Sequence, residues 1–341
     1  MPTREVEKKI PEWLDSAWQQ LNQVRNQGRL PHALLVIAPD GVGKEIFASR
    51  LAYSLLCEAP LADGQPCGRC AACAWLQAGT HPDLLQLAPE EDGKAIKVEQ
   101  VRSLCAELSM TSHAGGHKVA IIQPADAMNS NAANSLLKTL EEPTRNTVLI
   151  LLTAMPGKLP ATICSRCQQL RLVPPPLSVA QRWLESSGVP ADVATRCLQM
   201  TGGAPLKALE LAGSDLLELR EQRLEELWRV FYGQLDPVPL AAQWMGKQES
   251  QTLQWWLRWL RDLISWQIGG RQPAEACVVD KLQKISESVD SRQICSLADA
   301  VTRAVNSIGS GLNRQLILEE LLISWASMGG MGRNGNLAGN G

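Results

Sequence analysis

The stretch VIAPDGVGKEIFA, which begins at Val36, contains part of a phosphate-binding loop. The P-loop pattern is G-x-x-x-x-G-K-[ST], in which backbone N–H groups surround the phosphates and the Lys reaches the β- and γ-phosphates. The hydroxyl that follows the Lys holds Mg²⁺. Here Ala38 stands at the first Gly position and Glu45 at the hydroxyl position. Two positions of the pattern therefore carry the wrong chemistry for a working nucleotide site.

Gly41, Gly43 and Lys44 are retained, and their surroundings are those of a P-loop. The preceding HALLVIA is a nearly continuous apolar run, which is typical of a strand buried on both faces. The following residues are apolar at helical spacing. Because a P-loop requires this strand–loop–helix context, we interpret the three residues as a degenerate and vestigial phosphate loop. Nucleotide binding without turnover stays open.

The carboxylates of a nucleotide hydrolase are also missing. Such an enzyme needs an acidic side chain at the end of a neighbouring strand to hold Mg²⁺. After the apolar run KVAII the chain has Gln123-Pro124 instead, and Asp126 comes three residues too late. We expect Asp126 to cap the helix that follows. The chain is therefore not expected to hydrolyse ATP.

Four cysteines form the strongest chemical signal. Cys57, Cys67, Cys70 and Cys73 are spaced C-x9-C-x2-C-x2-C. Four soft thiolates can close a tetrahedral Zn²⁺ site without an open position, so the predicted role is structural. The stretch CGRCAAC also matches part of a ferredoxin run, although the fourth Cys with its trailing Pro is missing. An iron–sulfur cluster and four free thiols remain as alternatives.

Composition and charge limit the class of protein. The 341 residues are 45% hydrophobic and 20% charged, with a net charge of -2, so the chain is globular and has no overall charge that favours nucleic acid. The N-terminus lacks an apolar signal core. The longest strongly apolar run, TVLILLTAM, is too short to cross a bilayer. We therefore predict a cytoplasmic protein without a membrane segment, in which the other six cysteines are ordinary core or helix residues.

The first half of the chain alternates short apolar runs with helical patterns, which predicts an α/β fold with a largely parallel sheet wrapped by helices. The predicted strands are 32–38, 83–89, 118–124, 147–153 and 168–174. After the proline-rich linker VPPPLS, almost everything is predicted to be helical: 179–187, 191–200, 204–231, 250–268, 275–289, 291–308 and 312–327. The tryptophan-rich WWLRWLRDLISW is interpreted as a helix-packing face.

Several stretches together resemble a known family. NSLLKTLEEP, KLPATICSRCQQLRL, RLPHALLVIAP and the four-cysteine insertion are similar to the delta-prime subunits of bacterial DNA polymerase III clamp loaders, which are AAA+ proteins. The resemblance covers roughly residues 10–215, and the helical remainder is compatible with the collar domain of that family. It implies an AAA+ P-loop core with a zinc-binding loop, a helical lid and an all-α collar.

The resemblance also implies domain boundaries. The core is expected over 1–173 with its zinc module at about 57–73, the lid over 174–214, and the collar, which mediates oligomerisation, over 215–330. Residues 331–341, which are rich in Gly and Asn, are predicted to be disordered.

Ser165-Arg166-Cys167 acquires a role through the same resemblance. In clamp loaders the arginine of this motif reaches across a subunit boundary to the γ-phosphate of ATP bound by a neighbour, and a guanidinium suits that task because it stays charged and forms bidentate bonds to phosphate. Taken alone, these residues favour an exposed arginine in a surface ion pair that contributes little. The family comparison favours an arginine finger that acts in trans.

Two further positions correspond to sensor residues in the ATP-hydrolysing members of the family that this chain resembles. The stretch GAPLKAL places Leu206 where such members carry a sensor arginine, with Lys207 beside it. Thr153 ends a predicted strand where a polar sensor would stand, and it is equally an ordinary strand-end residue. His81 is expected to be structural, and His113 and His117 are expected to be solvent-exposed.

The resemblance implies a function in DNA replication. The chain is expected to be the catalytically silent delta-prime subunit of a five-membered loader, nominally part of a DNA-directed DNA polymerase. Its partners would be ATPase subunits of gamma/tau type and a delta-type subunit, and indirectly the sliding clamp and primer-template DNA. Two alternatives stay open: an active clamp-loader-type ATPase and a stand-alone zinc-dependent DNA-binding protein. The second is disfavoured because the cysteine loop contains only one cation, Arg69, with which to bind DNA.

Overall fold

The computed structural model describes residues 10–91, 93–246, 248–270, 276–307 and 313–330, so the predicted disordered tail lies outside the described residues. The chain forms two compact units. The first comprises Met1–Ala194 and Thr201–Leu209, and the second comprises Thr195–Met200 and Glu210–Gly341. The predicted boundaries of core, lid and collar stay predictions.

The first unit contains the sheet and the helices that cover it. Its strands are β1 (Ala33–Ile37), β2 (Leu84–Leu87), β3 (Lys118–Ile122), β4 (Thr147–Thr153) and β5 (Gln168–Arg171). The helices up to the second unit are α1 (Asp15–Asn26), α2 (Lys44–Leu56), α3 (Ala71–Ala78), α4 (Val98–Ser109), α5 (Ser130–Glu141), α6 (Ala161–Cys164), α7 (Leu177–Ser186), α8 (Ala191–Met200) and α9 (Pro205–Ala212). The division between the units falls within α8 and α9.

The five strands form one parallel sheet in the order β2-β3-β4-β1-β5. Every residue of β1, β3 and β4 is buried. This burial agrees with their largely apolar sequences, because helices cover both faces of a parallel sheet. All five predicted strands are confirmed, and so is the predicted α/β fold with a parallel sheet.

A buried carboxylate ties a surface loop to the start of β2. Asp83 is fully buried, and its two oxygens accept hydrogen bonds from Ser112 Oγ at 2.9 Å, His113 N at 2.8 Å and Ala114 N at 2.9 Å. Burial alone would raise the pKa of Asp83, but these hydrogen bonds outweigh it and lower the pKa below its ordinary value. The glycine-rich loop before β3 is therefore held by one ionised group.

The second unit is helical. Its remaining helices are α10 (Leu216–Phe231), α11 (Pro237–Trp244), α12 (Glu249–Gly269), α13 (Ala276–Ser286), α14 (Ser291–Asn306) and α15 (Arg314–Gly330). Trp256, Trp259 and Leu260 of α12 are buried in its core, so the prediction of a helix-packing face is confirmed. A buried ion pair joins Arg223 to Glu226 at 2.7 Å, and Trp244 Nε1 donates to the same carboxylate oxygen at 2.8 Å.

After the proline-rich linker, the sequence prediction was wrong in two helical segments. The single helix predicted over 204–231 is divided into α9 and α10 at Gly213-Ser214-Asp215, where glycine and a short polar side chain favour a break. Helix α11 was not predicted. It begins at Pro237 and is capped by Asp236, whose side chain accepts from Val238 N at 3.0 Å. Among the described helices, none has the length and apolar character that crossing a membrane requires.

We expect Asp83→Asn to lower the free energy of unfolding at pH 7 by about 2 kcal/mol, because an amide accepts fewer of the hydrogen bonds and carries no charge. A carboxyl whose pKa is lower in the folded protein stabilises it above the unfolded pKa, about 3.9, and this contribution is lost as the pH falls through the folded value. The difference from the unmodified chain should therefore shrink below about pH 4. Urea titration checks both points, with exposed Glu142→Gln as the control; equal losses in the two variants would contradict the assignment.

Candidate functional site

The phosphate loop follows the carboxyl end of β1 and is closed by the start of α9. Gly41 and Gly43 have φ of +81° and +107°, in the left-handed region that favours glycine. The carbonyl oxygen of Gly41 accepts a hydrogen bond from Leu206 N at 3.0 Å. A Cβ added to Gly41 would lie only 2.5 Å from Lys207 Cβ and 2.8 Å from Lys207 N. Backbone of α9 therefore occupies the space against the loop.

Leu206, at the predicted sensor position, also faces the loop. Its Cδ1 lies 3.5 Å from the Cβ position of Gly43. An apolar side chain supplies no charge for a phosphate, so the place of a sensor cation is filled by packing.

Lys44 is the first residue of α2, and its charge is already balanced within the loop. It is only 2% exposed, and its Nζ lies 2.5 Å from Asp40 Oδ1 and 3.1 Å from Glu45 Oε1. Burial alone would lower the pKa of Lys44, but the two carboxylates outweigh it and raise the pKa. A phosphate would have to displace both carboxylates and would meet their negative charge. Glu45, which stands where a P-loop has its Mg²⁺-binding hydroxyl, thus joins Asp40 in neutralising the charge of Lys44.

Polar side chains that follow β3 and end β4 are paired with each other by a hydrogen bond. The Thr153 hydroxyl donates to Asp126 Oδ1 at 2.5 Å and accepts from Met155 N at 3.0 Å. The expectation that Asp126 caps the next helix is wrong. Asn129 caps α5 instead, because its side-chain oxygen accepts from Ala132 N at 2.8 Å.

The four-cysteine cluster joins the end of α2 to the start of α3. Its four Sγ atoms all lie within 4.8 Å of one another. The Cys57–Cys70 and Cys67–Cys73 sulfur pairs are each 3.9 Å apart, too far for a disulfide. Tetrahedral bonds of about 2.3 Å to one ion place sulfurs about 3.8 Å apart. The geometry fits a single tetrahedral metal ion.

Backbone N–H groups also point at these sulfurs. Cys67 N donates to Cys57 Sγ at 3.3 Å, and Cys73 N donates to Cys70 Sγ at 3.4 Å, so each bond supports a negative thiolate. The pKa values diverge: burial raises that of Cys73 to about 12, and the backbone N–H of Arg69 lowers that of Cys67 to about 6. Because a metal binds thiolates, it must displace the Cys73 proton.

Arg166 lies in the turn between α6 and β5 and is about one-third exposed. Its Nε donates to Glu141 Oε1 at 2.8 Å, its Nη2 lies 2.5 Å from the same oxygen, and its Nη1 donates to the carbonyl of Thr162 at 3.0 Å. The flanking Cys167 is buried, and burial raises the pKa of its thiol to about 12. Ser165 Oγ donates to Thr162 O at 3.2 Å. Arg166 is thus the charged member of the motif and is partly exposed, beside an exposed Ser165 and a buried Cys167.

Strand direction separates Arg166 from the phosphate loop of its own chain. Strands β1 and β5 are parallel neighbours, with Leu34 opposite Gln168 and Ile37 opposite Arg171. The loop follows the end of β1, whereas Arg166 precedes the start of β5. About 10 Å of strand separates the two levels at about 3.3 Å per residue. The two features therefore lie at opposite edges of the sheet.

The histidines fit structural and surface roles. His81 is buried, its Nδ1 accepts from Asp83 N at 3.1 Å, and burial lowers its pKa. His113 is exposed and His117 is half-buried, with its Nδ1 3.2 Å from the carbonyl oxygen of Asn146. The metal-ligand group among the described residues consists of the four cysteines.

Comparison with known proteins adds to this geometry. Residues 13–176 match a family described as DNA polymerase III, delta subunit, and residues 214–327 match its C-terminal family. The DNA polymerase III subunit delta' of Pseudomonas aeruginosa is 36% identical over 94% of this chain and 98% of its own length. The chain belongs to the delta-prime subunits of DNA polymerase III. The delta-prime subunit of Escherichia coli is 32% identical over 91% of this chain and 93% of its own.

Two proteins outside the delta-prime family match over a shorter part of the chain or at lower sequence identity. The DNA polymerase III subunit tau of Escherichia coli is 37% identical over 42% of this chain and 22% of its own length. A solved gamma subunit-related protein from Thermotoga maritima has a TM-score of 0.46 and 17% identity, over 91% of this chain and 99% of its own.

Two residues of these sites were missed by the sequence interpretation. Asp40 stands four residues before Lys44, a spacing that can pair a carboxylate with an amine, but the pairing was not predicted because Asp40 lies in a loop before the helix. Glu141 lies within the quoted LEEP stretch, and its contact with Arg166 depends on tertiary structure.

We expect Gly41→Ala to destabilise the first unit by more than the positive φ alone costs, about 1–2 kcal/mol, because the new methyl group would meet the Lys207 backbone. Gly188→Ala is the matched control, since Gly188 has a φ of +88° with open space around it. Urea unfolding measures both losses, and hydrogen exchange of the Leu206 amide reports the loop contact. Equal losses and an unchanged Leu206 amide would argue against this contact.

Cys70→Ser is expected to abolish metal binding and lower the melting temperature, because the remaining three thiolates leave a tetrahedral site open. Metal analysis by mass spectrometry should find about one ion in each unmodified chain and essentially none in the variant. Cys105→Ser, a half-buried cysteine outside the cluster, is the control and should keep its metal. Unmodified protein purified without a chelator but free of metal would contradict the site.

Proposed function

We propose that this chain acts in DNA replication as the catalytically silent delta-prime subunit of the DNA polymerase III clamp loader, helping to place the sliding clamp on primed DNA. The relationship to delta-prime subunits over nearly the whole chain supports this role. A contrast within the first unit carries the proposal. In the phosphate loop Lys44 is paired with two carboxylates and Gly41 is covered by α9, whereas Arg166 is partly exposed at the opposite edge of the sheet.

The chain does not hydrolyse ATP in this proposal. Lys44 is buried against Asp40 and Glu45, and the backbone of α9 lies against Gly41. Electrostatic attraction of a nucleotide needs an available positive charge and free backbone N–H groups. Gly41, Gly43 and Lys44 are thus a vestigial nucleotide-binding set whose remaining role is packing.

Arg166 acts in trans on the ATP of a neighbouring subunit. Because it lies at the sheet edge opposite its own phosphate loop, the phosphate that it contacts has to belong to another chain. Its guanidinium would offset the charge that develops on the transferred phosphoryl group. Ser165 and Cys167 complete the motif by fixing the turn, one through a hydrogen bond to Thr162 and the other through burial.

The partners are the other clamp-loader subunits, of gamma/tau type and delta type. The match with a tau subunit over part of the chain supports a shared architecture with such ATPase subunits. The sliding clamp and primer-template DNA are contacted through the assembled loader. The net charge of -2 agrees with a chain that does not bind DNA by overall electrostatics.

The cysteine cluster holds a structural Zn²⁺ in this proposal. The sulfur spacing of 3.9 Å supports one ion shared by Cys57, Cys67, Cys70 and Cys73. The cysteines of a [4Fe–4S] cluster each bind a different iron, and those of a [2Fe–2S] cluster bind two irons in pairs, so in neither case would all four thiolates surround one ion. With all four positions filled by protein, the ion has no site for substrate, and its role is to fasten α3 to α2.

We expect Arg166→Ala to reduce the ATPase of a reconstituted loader, stimulated by clamp and primed DNA, by about tenfold or more, because an arginine finger stabilises the transition state of the site that it serves. Arg171→Ala is the matched control, since Arg171 is an exposed arginine on the adjacent strand. The isolated chain should show no turnover. Turnover by the isolated chain, or full activity of the Arg166→Ala loader, would refute this function.

A further inference from the structure

We infer that Glu141 is a positioning residue for Arg166, holding the guanidinium side-on so that its outer edge faces the neighbouring phosphate. This inference rests on the proposed function of Arg166. The carboxylate oxygen Oε1 of Glu141 lies 2.8 Å from Nε and 2.5 Å from Nη2 of the arginine. One carboxylate oxygen thus binds the side of the guanidinium that carries Nε and Nη2.

The remaining donors define a free edge. A guanidinium has five N–H groups in a rigid plane. Glu141 accepts from Nε and from one N–H of Nη2, and the carbonyl of Thr162 accepts from one N–H of Nη1 at 3.0 Å. The second N–H of Nη2 then points away from Glu141, and beyond its bond to Thr162 the Nη1 group makes only a long contact of 3.5 Å to Ser165 Oγ, which a phosphate oxygen can replace. These two N–H groups, on Nη1 and Nη2, have the spacing of a bidentate fork for two phosphate oxygens.

Two helix ends supply the anchors for this orientation. Glu141 is the last residue of α5, and Thr162 lies in the short helix α6. Carboxylates are unfavourable at the negative end of a helix, so Glu141 gains more from a cation than a mid-helix glutamate would. Arg166 supplies that cation and also pairs with a terminal carbonyl of α6. The arginine is thus held by one side chain and one backbone carbonyl of its own chain, each at a helix end.

The pair contributes little to folding but much to orientation. Glu141 is 48% exposed and Arg166 35% exposed, and ion pairs at such surfaces add little stability because water screens them. An arginine side chain without a partner samples many rotamers. When Glu141 holds the guanidinium in one orientation, the arginine need not find the reactive rotamer in each turnover. Loss of Glu141 should therefore lower the catalytic rate and leave nucleotide affinity unchanged.

The test is a double-mutant cycle in the reconstituted loader. Glu141→Ala is expected to lower the kcat of ATP hydrolysis about three- to tenfold with an unchanged KM for ATP, and Glu141→Gln, which keeps an acceptor oxygen, should restore part of the rate. In the Arg166→Ala background the Glu141→Ala change should have no further effect. Glu142→Ala, at the exposed neighbouring carboxylate, is the control and should leave the rate unchanged.

The cycle separates this inference from the function on which it rests. Gel filtration first establishes that each variant chain enters the loader. If Arg166→Ala lowers the rate but Glu141→Ala does not, or raises it, Glu141 does not position the arginine. Equal losses from Glu141→Ala in both backgrounds would assign it an independent structural role and overturn the inference. An unaffected Arg166→Ala loader would overturn the proposed function itself.

Discussion

The common direction of the five strands is the constraint on which the candidate sites depend. In a parallel sheet every loop that follows a strand lies at one edge, and every turn that precedes a strand lies at the other. The phosphate loop follows β1 and the arginine turn precedes β5. A slip of one residue would move the side chains of a strand to the opposite face, and because both faces of β1 are packed in separate cores, the packing on each face would be lost. The separation of the two features is therefore as firmly fixed as the core itself.

The phosphate loop keeps its shape although its chemistry has changed. Glycines with positive φ still form the turn before α2, but the backbone that approaches Gly41 belongs to α9. The lysine is satisfied by carboxylates from either side of it in sequence. Both contacts are internal, so the geometry that serves phosphate recognition in a P-loop stabilises the fold of this unit.

The sequence predicted the elements whose signals are local. Long apolar runs gave all five strands, and cysteine spacing gave the cluster that the structure brings together. Errors arose where neighbouring signals competed: Asn129 and Asp126 are both capping residues, and only Asn129 is placed correctly for α5. The break before α10 was overlooked because apolar periodicity continues across it.

Contacts between distant segments were beyond the reach of sequence periodicity. Nothing in the spacing of residues places Leu206 and Lys207 on Gly41, or Glu141 on Arg166, since these contacts are made only when the chain has folded. The part assigned to Arg166 came from family resemblance and not from its neighbours in sequence. The structure adds the contacts of Arg166 with Glu141 and Thr162, and its action in trans stays a proposal.

The contact between Gly41 and α9 has an evolutionary consequence. Replacing Glu45 by threonine would return the hydroxyl to the loop, but α9 would still lie on the glycine and Asp40 would still hold the lysine. A lineage that has acquired this packing therefore needs coordinated changes in separate segments before any one of them is advantageous. No single substitution would therefore return the loop to a shape and charge that suit a phosphate.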